Sequence, residues 1–221
     1  MGRILNIGIL ASGSGSNLQS IIDNIDKGLL DAKINVVISN KSDAYALDRA
    51  RKHGIPAIAI EHTAFKERED FDQKMIAALR TSHVELVVLA GFMRILTPIF
   101  LDAFPMRVIN IHPALLPAFP GNHVQRKAIE YGVKFSGCTV HFVDKRVDTG
   151  PIIIQSIVPV YDSDDENTLA ARILQEEHRI YPQAIQFYAE DKFDIRGRRV
   201  CIRNEKATEI TPVHNPPLTR F

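Results

Sequence analysis

The segment Ile4–Leu18, ILNIGILASGSGSNL, decides the fold of this chain. Its first seven residues, Ile4–Leu10, are mostly aliphatic, which predicts a buried strand. The small residues Ala11–Ser16 follow at once, and a helical pattern begins at Asn17. Open α/β sheets bind ligands at the carboxyl ends of their strands. We therefore expect an α/β fold with a ligand site where this first strand ends.

Short apolar runs and amphipathic stretches alternate through the rest of the first half. Continuous apolar strands separated by helices predict a parallel sheet that is covered on both faces, because only then are both sides of a strand buried. We therefore expect a Rossmann-like, doubly wound, mostly parallel sheet. The further predicted strands are Ile34–Ser39, Ala57–Ile60, Val84–Ala90 and Arg107–Ile111, and the predicted helices are Asn17–Asp26, Ala44–His53 and Arg68–Arg80.

The second half has a different pattern. Two strand-like runs, Ser136–Phe142 and Ile152–Val158, flank a polar loop with no room for a crossover helix, which predicts an antiparallel extension of the sheet. A long helical pattern over about Asn167–Ala189 follows, and Pro182 should kink it.

The end of the chain predicts a hairpin at Arg196–Arg203 and an irregular tail at His214–Phe221. We expect a single domain over residues 1–195. Residues 196–221 form a C-terminal hairpin and tail to which the sequence assigns no role.

Composition excludes several classes of protein. The 221 residues are 45% hydrophobic and 24% charged, and the net charge is +1, so neither a disordered chain nor a nucleic-acid-binding tail is indicated. The longest apolar run, Leu86–Met93, is far too short for a membrane span. Cys138 and Cys201 lie far apart, which favours a reducing cytoplasm. No two of the eight histidines lie within four positions of each other, so no metal site is expected.

The glycine-rich loop after the first strand predicts a phosphate site. Small residues let backbone N–H groups approach an anion, and the start of a helix adds partial positive charge. No Gly-Lys-Ser/Thr follows, so the loop is not a P-loop. A dinucleotide is disfavoured because a third glycine is missing and Ser39-Asn40-Lys41 lacks the acidic residue that would bind a ribose. The alternative is a tight turn with Ser16 as the helix N-cap.

The segment Val108–Pro113, VINIHP, is the most informative for chemistry. Side chains alternate along a strand, so Asn110 and His112 share one face, and they lie at the carboxyl end of their strand. An amide N–H₂ can stabilise an oxyanion while an imidazole moves a proton, which suits acyl transfer. The alternative is a polar strand end that is hydrogen-bonded to the next loop.

Two carboxylates complete the list of candidates from the residues alone. Asp148 precedes a Gly-Pro turn and, if it lies near His112, would favour the protonated imidazole and order a water; otherwise it belongs to an ordinary turn. Glu177 falls on the apolar stripe of the long helix, together with Leu169, Ile173 and Ile180. A carboxylate there needs a partner, either a substrate ammonium or an Arg or Lys side chain.

Four motifs together resemble the folate-dependent phosphoribosylglycinamide formyltransferase family of purine biosynthesis. They are Ser12–Asn17 (SGSGSN), Val88–Leu96 (VLAGFMRIL), Asn110–Pro117 (NIHPALLP) and Asp148–Ile153 (DTGPII). The resemblance runs from about Ile4 to Tyr188 and implies a formyltransferase fold with a single formyltransferase domain over residues 1–195. Its N-terminal half would bind phosphate and its C-terminal half would bind folate. One departure is Ala114, where family members often have serine.

The resemblance implies a reaction and its residues. The implied reaction is transfer of the formyl group of 10-formyltetrahydrofolate, a cosubstrate of one-carbon metabolism, to the amine of glycinamide ribonucleotide. Asn110, His112 and Asp148 would be catalytic. The residues that would bind glycinamide ribonucleotide are Gly15, Ser16, Asn17 and Glu177, and those that would bind the folate are Arg68, Met93, Arg94, Ile95, Leu96, Asn110, Val143 and Asp144.

The same likeness implies the partners and the rivals. We expect two small-molecule substrates, no metal, nucleic acid or membrane, and a monomer or homodimer in the cytoplasm. Related methionyl-tRNA formyltransferases carry a further C-terminal domain and formyltetrahydrofolate hydrolases an N-terminal one, and neither is expected here. The nearest alternative is 10-formyltetrahydrofolate hydrolase. Two others are a thiol amidase that uses Cys138 with His112 and Asn110, and a non-catalytic binding module.

Overall fold

A computed structural model describes residues 3–204 and 213–215 of the chain. The strands are β1 (Leu5–Ala11), β2 (Ala32–Ser39), β3 (Ala57–Ala59), β4 (Leu86–Leu89), β5 (Val108–His112), β6 (Phe135–Phe142), β7 (Ile152–Pro159), β8 (Phe193–Arg196) and β9 (Arg199–Ile202). The helices are α1 (Ser16–Asp26), α2 (Tyr45–Lys52), α3 (Arg68–Thr81), α4 (Pro98–Ala103), α5 (Val124–Tyr131) and α6 (Glu166–Ala189), with a 3-10 helix at His62–Ala64.

The described strands form one sheet in the order β3-β2-β1-β4-β5-β6-β7-β9-β8. From β3 to β5 the pairs are parallel, whereas β5 pairs antiparallel with β6 and β6 antiparallel with β7. The chain reverses its strand order beside β1, which is where doubly wound sheets bind ligands. The predicted parallel sheet and its antiparallel extension are both confirmed.

Both faces of the sheet are covered. In β4, Leu86 and Val88 face an apolar cluster that includes residues of α1, α2 and α6. Val87 and Leu89 face a second cluster, which includes residues of α3 and α4. This double burial explains why the strand sequences are continuously apolar rather than alternating.

Helix α6 is tied to the carboxyl ends of the central strands. Its Tyr181 is completely buried, and the hydroxyl lies 2.9 Å from the carbonyl oxygen of Leu89 and 3.1 Å from that of Ile109. Glu177 lies one helical turn before Tyr181 and is therefore held over the same edge of the sheet. The helix continues through Pro182.

The sequence located the larger elements to within a few residues and missed three small ones: α4, α5 and the 3-10 helix. Helix α4 has only six residues, and only Val124 and Ala128 are buried in α5, so neither shows an apolar stripe. The predicted terminal hairpin is present but begins earlier, at Phe193, because β8 lies before the predicted range. The predicted tail His214–Phe221 lies outside the described residues from position 216 onward.

Candidate active site

The register of β5 against β6 builds the centre of the site. Asn110 is the cross-strand partner of His141, and the Asn110 Nδ2 atom lies 3.2 Å from His141 Nε2. Two residues further along β5, His112 is 5% exposed. Asn110 and His112 thus leave one strand on one face, as their spacing predicts.

Asp148 joins both histidines. Its Oδ2 atom lies 3.4 Å from His112 Nδ1, and its Oδ1 atom lies 3.7 Å from His141 Nε2. His112 Nε2 lies 2.9 Å from the carbonyl oxygen of Phe119. Both ring nitrogens of His112 therefore face acceptor oxygens. The structure brings Asn110, His112 and Asp148 together around His141.

Sequence reasoning did not single out His141. Its Nδ1 atom lies 2.8 Å from the carbonyl oxygen of Phe142, an acceptor, so Nδ1 carries the proton and Nε2 accepts from the Asn110 amide. Burial lowers the pKa of His141, which keeps the ring neutral and preserves this tautomer. One Asn110 N–H is thus engaged, and the second has no acceptor among the described residues.

The loop that carries Asp148 is shaped by short-range contacts. Asp148 has a φ of 53°, in the left-handed region, and its Oδ2 accepts from the backbone N–H of Gly121 at 2.8 Å. Asp144 accepts from Thr149 Oγ1 at 2.6 Å and from the Arg146 backbone N–H at 3.1 Å. The Asp144 carboxylate therefore holds the loop, and the Asp148 carboxylate is aimed at the histidines.

The glycine-rich loop begins α1 without a side-chain cap. Gly15 is the N-cap, with a φ of 71°, and within the described part of the chain no side-chain hydrogen bond caps the helix. The alternative in which Ser16 is the N-cap is therefore wrong: Ser16 is the first helical residue, and the left-handed conformation before it favours glycine. A Cβ at Gly15 would lie 2.8 Å from Ala46 Cα. The N–H groups of the first turn remain free for an anion.

Arg49 on α2 fixes this loop, a contact that the sequence pattern did not predict. Its Nε donates to the carbonyl oxygen of Ser14 at 2.8 Å, and its Nη1 donates to Gln19 Oε1 at 3.0 Å. The guanidinium also lies 4.8 Å from the centre of the Tyr45 ring. The loop is thereby held on α2, with a cation beside it.

Asn17 and Glu177 form a buried pair next to the loop. The Asn17 Nδ2 atom donates to Glu177 Oε2 at 2.8 Å, and the residues are 8% and 7% exposed. Burial raises the pKa of Glu177, and the hydrogen bond from Asn17 acts in the opposite direction. The Asn17 Oδ1 atom is buried and has no hydrogen-bond partner among the described residues. The partner of Glu177 in this structure is therefore an amide and not a basic side chain.

Apart from Asn110, the residues predicted to bind the folate lie in the loop after β4, at the start of α3 and directly after β6. Met93 and Ile95 are 68% and 61% exposed, whereas Leu96 is buried in the cluster against which Val143 also packs. The Arg68 Nη2 atom donates to the carbonyl oxygen of Ile95 at 2.6 Å. The same stretch thus offers apolar side chains and backbone groups to a flat ligand.

The thiol amidase chemistry that the sequence left open finds little support in the structure. Cys138 is completely buried in β6, and burial, together with Glu177 and Glu176, raises the pKa of its thiol to about 12, so it is a poor nucleophile.

Over residues 3–204 and 213–215, no group of three metal-binding side chains occurs. Over the same ranges, each helix is too short or too polar to cross a bilayer.

Known proteins resemble this chain over most of its length. A model of the formyl transferase family matches residues 5–185. Phosphoribosylglycinamide formyltransferase of Escherichia coli (strain K12) is 44% identical over 202 residues, which are 91% of this chain and 95% of that protein. The crystal structure of glycinamide ribonucleotide transformylase 1 from Symbiobacterium toebii has a TM-score of 0.90 at 50% identity and covers 91% of this chain and 95% of that one.

A longer relative matches in part. Trifunctional purine biosynthetic protein adenosine-3 of Drosophila pseudoobscura pseudoobscura is 49% identical over 185 residues, which are 83% of this chain and only 14% of that protein. The chain therefore spans a small part of the trifunctional relatives and nearly all of the bacterial one.

Proposed function

This chain belongs to the formyl transferase family, and on that premise we propose that it transfers the formyl group of 10-formyltetrahydrofolate to the amine of glycinamide ribonucleotide. The product is formylglycinamide ribonucleotide, an intermediate of de novo purine biosynthesis. The observation that carries the proposal is the cluster of Asn110, His112 and Asp148 at the carboxyl edge of the sheet. The likeness to bacterial phosphoribosylglycinamide formyltransferases over most of the chain supports this choice of substrates.

The acceptor, glycinamide ribonucleotide, binds where α1 and α6 meet at the carboxyl edge of the sheet. We call this the acceptor side of the site. The phosphate of the acceptor binds the free N–H groups of Gly15, Ser16 and Asn17, where the helix dipole favours an anion. Glu177 lies beside Asn17 and accepts from the glycinamide end of the substrate. The unpartnered Asn17 Oδ1 atom supports a ligand here, because a buried acceptor without a donor is costly.

The donor occupies the opposite side. The pterin packs against the apolar Met93 and Ile95 side chains and binds the backbone of residues 93–96, with Val143 and Asp144 below it. Arg68 is exposed, and its guanidinium binds the carboxylate tail of the folate while it also holds the Ile95 carbonyl. Both ligands then meet at Asn110.

The chemical step is a direct attack of the amine on the formyl carbon. The free N–H of Asn110 and the cationic His112 stabilise the tetrahedral oxyanion, and the loss of one such donor typically costs about 3–4 kcal/mol in transition-state stabilisation. Asp148 maintains the imidazolium, and a water beside it accepts the proton that leaves the amine. The tetrahedral intermediate then collapses: the bond between the formyl carbon and the folate nitrogen breaks, that nitrogen takes the proton from the water, and tetrahydrofolate leaves. No step needs a metal.

We also propose a domain organisation, a cellular location and an oligomeric state for the protein. Residues 1–195 are a single formyltransferase domain, and the segment 196–221 starts inside the β8–β9 hairpin. The enzyme acts on small molecules as a monomer or homodimer. The free thiols of Cys138 and Cys201 support a location in the cytoplasm, and the net charge of +1 gives no indication of a polyanionic partner.

Steady-state kinetics with both substrates tests the function. We expect tetrahydrofolate to form only when glycinamide ribonucleotide is present, and in equal amount to the formylated product. Formate is measured in the same reactions. Release of formate at the full rate without the acceptor would instead identify a 10-formyltetrahydrofolate hydrolase.

A further inference from the structure

The loop between β4 and α4 keeps an unusual shape. Met93 and Ile95 point to solvent, whereas Phe92 and Leu96 are each 8% exposed and belong to the apolar cluster below. Exposed apolar side chains gain nothing from the fold, so contacts elsewhere must hold this arrangement. At its start, the Met93 N–H donates to Ser12 Oγ at 2.8 Å.

Helix α3 holds the rest of the loop with three side chains on one face. Arg68 binds the Ile95 carbonyl oxygen, Phe71 lies under Arg94 with 5.5 Å between the guanidinium carbon and the ring centre, and Asp72 accepts from the Thr97 backbone N–H at 2.6 Å. The positions i, i+3 and i+4 face the same direction on a helix. This face of α3 therefore contacts the loop at Arg94, Ile95 and Thr97.

Asp72 is the buried member of this set. It is 2% exposed, and no Lys or Arg nitrogen among the described residues lies within 4.0 Å of its carboxylate. Burial raises the pKa of Asp72, whereas the hydrogen bond from the Thr97 backbone N–H and the charge of Arg68 act in the opposite direction. An apolar residue would pack α3 more favourably, since a buried carboxylate without a cation costs stability. What Asp72 provides instead is an acceptor for Thr97.

Thr97 is the N-cap of α4, so this hydrogen bond fixes the point at which the loop ends and the helix begins. We propose that Asp72 is a positioning residue for the formyl donor, because its carboxylate fixes Thr97 and thereby the path of residues 93–96. This inference rests on the proposed function, in which that loop binds the pterin. Asp72 acts through the loop and does not touch the donor.

The test compares Asp72→Ala, Asp72→Asn and Asp70→Asn with the unaltered protein. Asp70 lies on the same helix, is exposed, and is the matched control. We expect Asp72→Ala to raise the KM for 10-formyltetrahydrofolate about tenfold, because it removes the acceptor of a buried N–H, and to leave the KM for glycinamide ribonucleotide within about twofold. Asp72→Asn keeps a carbonyl oxygen that can accept from Thr97, so we expect it to restore the donor KM to within about threefold.

Affinity for tetrahydrofolate, measured by calorimetry on the same variants, gives a readout that needs no turnover. It should fall about tenfold in Asp72→Ala and remain unchanged in Asp70→Asn. If Asp72→Ala does not fold, Asp72→Ser, whose side chain is too short to reach Thr97, takes its place with the same expectation.

A protein that binds tetrahydrofolate but transfers no formyl group would refute the proposed function, and the affinity comparison would still decide the role of Asp72. Unchanged donor KM and tetrahydrofolate affinity in the folded variant would overturn the inference. An equal rise in the KM of both substrates would overturn it too, since that is the result of a general loss of structure.

Discussion

The acceptor side of the proposed site presents buried polar side chains, whereas the donor side presents exposed apolar ones. On the acceptor side, the paired side chains of Asn17 and Glu177 are 8% and 7% exposed and hydrogen-bonded to each other. On the donor side, Met93 and Ile95 are 68% and 61% exposed and apolar. The first side is a set of fixed polar groups, whereas the second is an apolar surface held in place from behind. Substitutions should therefore affect the two substrates separately.

The largest effect is expected from the group of Asn110, His112, His141 and Asp148, which belongs to neither the acceptor side nor the donor side. Asp148→Asn removes the carboxylate charge that faces His112, and kcat should fall by about a hundredfold or more, while both KM values stay within about threefold. Asparagine tolerates the left-handed backbone that residue 148 adopts, so the loop should keep its shape. Steady-state kinetics with each substrate varied gives all three values.

A matched control is available for that substitution. Asp191 has a φ of 52° and a side chain that is 92% exposed. Asp191→Asn therefore makes the same substitution in the same backbone conformation, but at a side chain that is on the surface. It should leave kcat unchanged. A drop in kcat below threefold for Asp148→Asn would remove Asp148 from the catalytic group.

A smaller effect, confined to one substrate, is expected on the acceptor side. Glu177→Ala removes the partner of Asn17 and the acceptor for the glycinamide end, so the KM for glycinamide ribonucleotide should rise roughly tenfold to a hundredfold. The donor KM should not change. The neighbouring Glu176, which accepts from Ser156 Oγ and Arg179 Nη1 instead, provides the control Glu176→Gln. A rise in donor KM equal to the rise in acceptor KM would contradict the separation of the two sides.

The fold was predictable because its signal is local. Each central strand is a short apolar run, and the burial of both faces follows from that alone, as β4 illustrates. The pair Asn110 and His112 was also predictable, since alternation along one strand decides which side chains share a face. Helix α5 was missed because its two buried side chains, Val124 and Ala128, are too few to form a periodic pattern.

The rest of the candidate site depends on pairing across the chain, which spacing does not reveal. His141 faces Asn110 only because β6 runs antiparallel to β5 in one particular register, and a shift of one residue would turn it to the other face. Asp72 lies at an ordinary helical position, and only the tertiary contact with Thr97 gives it a role. The roles assigned to the predicted site residues stay predictions until the substitutions above are measured.

The smallest expected effect concerns the pH dependence of stability that two buried titratable groups, His141 and Glu177, contribute. Burial lowers the pKa of His141 below its unfolded value of 6.5, so its contribution to stability is present above that pH and is lost as the pH falls from 6.5 toward the folded pKa. Glu177 has the opposite sign: its pKa is raised, so its contribution is present below 4.5 and is lost as the pH rises through the folded pKa.

His141→Gln removes the titrating ring and should therefore flatten the acid side of the stability profile. We expect the Tm of the unaltered protein to fall more than that of the variant between pH 7 and pH 5, by a few degrees, since one kcal/mol corresponds to roughly 2–4 °C in a chain of this size. Ile95→Ala on the exposed donor side has no titrating group to remove and should leave the pH dependence of Tm unchanged. Parallel profiles for His141→Gln and the unaltered protein would show that His141 is not held neutral by burial, and the tautomer that orients Asn110 would lose its physical basis.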